Sequence, residues 1–115
     1  MLTLDALKAY GADTQAGLTR CLNDEAFYLG LVEMLLNDER FDSLFMAVRA
    51  MNVRQALHEA YALSQTANSL ALNPLANQIE MMILCQQIRG DSEVLDKQLR
   101  IIEAGLEQLR QIDMT

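Results

Sequence analysis

The chain has 115 residues, enough for one domain that buries roughly two-thirds of its unfolded surface around a single core. Hydrophobic residues make up 51% of it, Gly and Pro number only 5 and 1, and β-branched residues are sparse beside Leu, Ala, Met and Gln, which favours an all-helical protein. A formal charge of −7 with no basic run argues against binding to a nucleic-acid backbone and disfavours anionic membranes.

In chain order, Thr3 is a cap for a short helix from about Leu4 to Tyr10, stopped by Gly11. Asp13 or Thr14 opens a second short helix containing Leu18 and Cys21, and these two helices are expected to lie across one end of the molecule. Asn23 or Asp24 caps a third, whose predicted buried face is Phe27, Tyr28, Leu31, Met34 and Leu35. Asn37-Asp38-Glu39 interrupts the pattern before a segment with Phe41, Leu44, Phe45 and Val48. The spacing leaves open whether residues 24–50 form one kinked helix or two.

Asn52 caps the central helix. In it Val53, Ala56, Leu57, Ala60, Leu63, Ala67 and Leu70 recur at three- and four-residue steps and make an apolar stripe. Opposite the stripe, Arg54, His58, Tyr61, Gln65 and Asn68 recur at the same spacing as a polar seam, with Ser64 at its edge. Asn73-Pro74 starts the next helix, which runs to about Arg89, is closed by Gly90 and buries Leu75, Ile79, Met82 and Ile83, with Gln86 at the margin. Asp91 or Ser92 caps the last helix, where Leu95, Leu99, Ile102, Leu106 and Leu109 form a continuous apolar seam suited to bundle packing.

Few residues in the chain suggest chemistry. One histidine and two isolated cysteines, Cys21 and Cys85, cannot supply a zinc site, and no Gly-rich phosphate loop is present. No cofactor and no metal are expected. The cysteines lack a CxxC spacing and read as buried thiols of a reducing compartment rather than as a Cys-His pair with His58. Glu80, and Glu103 with Glu107, read as solvated faces; Met81 and Met82 are either core or an exposed pair. MLTLDALKAY has neither a basic start nor a long apolar run, so no signal peptide or membrane span is expected and the protein is placed in the cytoplasm.

Ala60-Tyr61-Ala62-Leu63-Ser64-Gln65 followed by Ser69-Leu70-Ala71-Leu72-Asn73-Pro74-Leu75 resembles the histidine-containing phosphotransfer (HPt) domain of bacterial phosphorelays. That family carries Ala-His-x-Leu-Lys-Gly and then Asn-Leu-Gly-Leu-x-x-Leu at the same distance. Upstream, Leu44, Ala47, Asn52 and Ala56 fall where small stand-alone HPt proteins have Leu, Ala, Asp and Ala. LDALKAYGAD, Gly17-Leu18, Arg20 and Tyr28-Leu29 also look like the opening of that group. The resemblance covers most of the chain. It implies one all-α domain over residues 1–115, an up-and-down antiparallel four-helix bundle with short N-terminal helices, and a receiver domain or histidine kinase as partner.

The departures fall on the family's chemistry. Tyr61 occupies the phosphoaccepting histidine position, Ser64 replaces the lysine and Gln65 the glycine after it. A phenol forms a stable phosphate ester, so passing phosphate back to a carboxylate is strongly uphill, and serine supplies no charge to neutralise phosphoryl oxygens. The chain is therefore expected to be a monomeric, degenerate HPt-like protein that binds its partner through Arg54, His58, Tyr61, Ser64, Gln65 and Asn68 without transferring phosphate. One alternative is a working phosphotransferase that uses His58; this slips the motif by three residues and breaks the ungapped match. Another is a helical adaptor unrelated to phosphorelays.

Overall fold

The computed structural model describes the backbone over residues 2–88 and 92–114 and side chains over 2–84 and 96–113. Every regular element among the described residues is a helix: α1 (Leu4–Tyr10), α2 (Thr14–Arg20), α3 (Glu25–Leu36), α4 (Arg40–Arg49), α5 (Val53–Ser69), α6 (Asn73–Ile88) and α7 (Ser92–Met114). Residues 24–50 thus form two helices, separated where Asp38 Oδ1 accepts from the Arg40 N–H at 2.9 Å. Cys85, Gln86, Arg89, Gly90, Asp91 and Leu95, each given a role above, lie outside the described side chains.

Local chemistry fixes the helix starts. Thr3, Asp13, Asp24 and Asn52 each accept, through a side-chain oxygen, from the N–H three residues on, at 3.1, 3.1, 3.1 and 3.2 Å. The ends are less legible. Four helices close with a left-handed residue that sends its own N–H and the next N–H back into the last turn, the Schellman arrangement. The left-handed residues are Gly11 (φ 118), Leu22 (φ 58), Met51 (φ 58) and Ala71 (φ 57). At α5, for example, Ala71 N–H donates to Asn68 O and Leu72 N–H to Ala67 O, at 3.0 and 2.9 Å. Only the first of these positions has the glycine by which sequence reading recognises such an end.

α5 packs against α4 and α6, α6 against α7, and α7 against α4 and α3. With 23 residues α7 is about 34 Å long, most of the molecule's 40 Å dimension, so it reaches both α3 and α4. The buried side chains form one cluster that includes Leu63, Leu75, Ile79, Leu99, Ile102, Leu106 and Leu109. α1 and α2 seat at the α5–α6 corner, where Asp13 N–H donates to Ala71 O at 3.0 Å and a Cβ on Gly11 would stand 2.9 Å from the Pro74 ring.

Two expectations about faces need correction. α3 buries Tyr28, Val32, Leu35 and Leu36, whereas Phe27 and Met34 are 55% and 70% exposed and Leu31 is half-buried. The sequence EAFYLGLVEMLL is apolar almost all the way round, so periodicity cannot choose the inward face. In α5, Val53 is exposed because it opens the helix at the α4–α5 corner, beyond the neighbours that cover Ala56 and Ala60. Met81 and Met82 divide, half exposed and fully buried, so they are not an exposed pair. No helix among the described residues is long and apolar enough to cross a membrane.

Candidate functional site

α5 is held at both ends, which makes it a firm platform for its outer face. At its start the Asn52 side chain caps the first turn while Asn52 N–H closes α4 by donating to Ala47 O at 2.8 Å. At its end the carbonyls a helix leaves unpaired receive donors from the N-terminal helices. Arg20 Nη1 donates to Asn68 O and Ser69 O at 2.6 and 3.0 Å, and the Tyr28 hydroxyl donates to Leu70 O at 2.8 Å. A guanidinium there also complements the negative end of the helix dipole. Tyr28 reaches this position across α2 only because residue 17 is glycine, where a Cβ would lie 2.5 Å from the Tyr28 ring. The fold thus brings Gly17, Arg20 and Tyr28 together on one structural task.

Arg54, His58, Tyr61, Gln65 and Asn68 are all exposed on α5, Tyr61 at 45%. Ser64 is not at the edge of that seam: it is buried, and its hydroxyl donates to Tyr61 O at 2.9 Å. Ser64 sits about 40° around the helix from Ala60, on the flank of the apolar stripe, and the bond to its own helix satisfies the hydroxyl there. At the far end, Asn68 Nδ2 donates to Glu80 Oε1 at 2.8 Å, which fixes Asn68 and sets a carboxylate of α6 beside the seam. Glu80 is therefore engaged rather than simply solvated, as is Glu103, paired with Arg49 at 2.7 Å.

Two further features of α5 were not apparent from the sequence. Glu59 is buried on α5 and accepts from Gln55 Nε2 at 2.8 Å. Gln65 also lines a groove between α3 and α5, together with Leu31, Met34, Asp38, Thr66 and Ser69. Periodicity within α5 contains no information about α3 crossing beside it. Burial raises the hydroxyls of Tyr10 and Tyr28 to about 12, with Cys21 and Asp13 adding to the shift at Tyr28. Both are structural phenols, committed to the protonated form.

The seam holds two groups able to carry positive charge, Arg54 and His58, and no lysine. His58 and Tyr61 are three residues apart, a rise of about 4.5 Å and a rotation of about 300°. Cys21 is buried at the end of α2 and His58 is exposed on α5, so the fold does not assemble them into a nucleophile and base. Among the described residues no group of three or more His, Cys, Asp or Glu side chains is placed to hold a metal ion. No family model matches the chain, and neither curated proteins nor solved structures yield a match to it.

Proposed function

We propose that this protein is a degenerate HPt-like module, an up-and-down antiparallel four-helix bundle with short N-terminal helices, which binds a receiver domain or a histidine kinase of a phosphorelay without transferring phosphate. It acts as a cytoplasmic monomer and is not an enzyme. The observation that carries the reading is the placement of Tyr61: a half-exposed phenol stands in the middle of a solvent-facing seam, on a helix anchored at both ends. Further support comes from Ser64, which is turned inward and offers neither charge nor hydroxyl where phosphoryl chemistry needs a cation. Arg54, His58, Tyr61, Gln65 and Asn68 would make the contact, and the protein would sequester its partner.

The test is incubation with a phosphorylated receiver, followed by measurement of acid-labile phosphate on this chain and of amide resonances along α5. Binding that shifts the seam resonances without label supports the proposal. Label that disappears in His58→Ala favours the phosphotransferase reading, which the exposure of His58 keeps in play. Absence of any binding favours an unrelated adaptor. The triple replacement Tyr61→His, Ser64→Lys, Gln65→Gly is expected to bring back some transfer, although the lysine must first leave the buried position of Ser64.

A further inference from the structure

α3 is the helix whose surroundings account least well for its sequence. An α-helix that is apolar all round is ordinarily buried all round. α3 is covered on one side only, where Tyr28, Val32, Leu35 and Leu36 face the core. On the uncovered side Phe27, Gly30, Leu31 and Met34 fall within about 100° of one another and span about 10 Å along the axis. Phe27 is 55% and Met34 70% exposed, and Gly30 is open, with no atom within 4 Å of where its Cβ would be. The stripe continues into the groove against α5 whose far wall is the polar row Gln65, Thr66 and Ser69. Such a contiguous exposed apolar surface on a small protein marks an interaction site.

The charges around the stripe itself select the occupant; Arg20, at the far end of the groove, is held on the Asn68 and Ser69 carbonyls. Carboxylates stand at both ends and along one flank of the stripe, Asp24 before Phe27, Glu33 beside Gly30 and Asp38 beyond Met34, and α3 has no Lys, Arg or His. Asp113 joins Glu33 at a second hollow on that flank. A second copy of this chain is disfavoured, because a two-fold contact sets the patch against itself and brings the two acidic rims together on chains of charge −7. An anionic bilayer is disfavoured for the same reason. A helix with apolar residues at i, i+3, i+4 and i+7 and Lys or Arg on its borders matches both the stripe and the rim.

We infer that the outer face of α3, with the α3–α5 groove, is a docking surface for a cationic amphipathic helix of a partner protein. This surface meets the α5 seam only at Gln65, and the inference stands whether or not the seam binds a phosphorelay partner.

The probe is a synthetic helix with leucines on one face and lysines elsewhere, compared with the same peptide carrying glutamates for lysines. Binding is followed by fluorescence anisotropy and amide chemical shifts on the whole chain. The lysine peptide is expected to bind at least tenfold more tightly than the glutamate peptide, with shifts centred on α3 and Thr66 to Ser69. Phe27→Ser with Met34→Ser is expected to weaken binding at least tenfold while circular dichroism stays unchanged, since both side chains are exposed. Glu33→Lys with Asp113→Lys, which removes neither apolar surface nor a capping bond, is expected to reverse the preference between the peptides. Equal affinity for both peptides, shifts centred elsewhere, or indifference to both double variants overturns the inference. So does a dimer, or binding to vesicles of phosphatidylserine, that the Phe27→Ser, Met34→Ser variant abolishes, because the occupant is then a second copy or a membrane.

Discussion

Replacing Met51 with glycine is expected to stabilise this protein. Met51 closes α4 at φ 58, where a residue with a Cβ is disfavoured by roughly 1–2 kcal/mol. Glycine relieves that strain but loses more backbone freedom on folding, roughly 0.5–1 kcal/mol. The methionine side chain is 65% exposed, so its removal forfeits little packing, and the balance is a gain of about 0.5–1 kcal/mol. Ala71 has the same backbone conformation at the end of α5, yet it is only 3% exposed. There glycine also removes a buried methyl worth about 0.8 kcal/mol, which brings the net change close to zero. Urea unfolding followed by far-ultraviolet circular dichroism separates the two: the midpoint should rise for Met51→Gly and stay within error for Ala71→Gly. In a thermal scan the first variant should gain about 2–5 °C. Loss of stability in Met51→Gly, or an equal gain in both, would refute the assignment of strain to the backbone and of the difference to burial.

Gly17→Ala should lower stability by about 1–2 kcal/mol in the same assay although alanine is the better helix former, because its Cβ meets the buried, hydrogen-bonded ring of Tyr28. Tyr28→Phe should cost about 1–2 kcal/mol by leaving Leu70 O without its donor. Burial raises Tyr10 and Tyr28 from 10.0 to about 12, so above pH 10 the unfolded chain loses these protons first. Stability is accordingly expected to hold below pH 10 and to fall as the pH climbs toward 12, less steeply in Tyr28→Phe; a flat profile there would contradict the burial of the phenols. Arg20→Ala should destabilise by about 1 kcal/mol, with partial recovery in Arg20→Lys, since the contact is a charge-assisted cap on two carbonyls of α5.

The sequence by itself placed the starts of α1 and α5 and narrowed those of α2 and α3 to two residues each. Thr3, Asp13, Asp24 and Asn52 serve as caps because each needs only the backbone three residues ahead, an interaction fully contained in the local chain. It also determined most of the buried side of α5 and, on α7, the burial of Leu99, Ile102, Leu106 and Leu109, because these apolar residues keep one helical face. What only the tertiary structure decided depends on atoms distant in the chain. The inward side of α3 follows from the elements packed on it, and the burial of Ser64 from the packing beside Ala60. The ends of α2, α4 and α5 escaped the sequence for another reason: left-handed Leu22, Met51 and Ala71 stand where a glycine would signal such a stop. Arg20 and Tyr28 acquire a purpose only when folding carries them more than forty residues along the sequence to the last carbonyls of α5. A periodic pattern records which side chains avoid water, but it cannot record which neighbour removes the water from them.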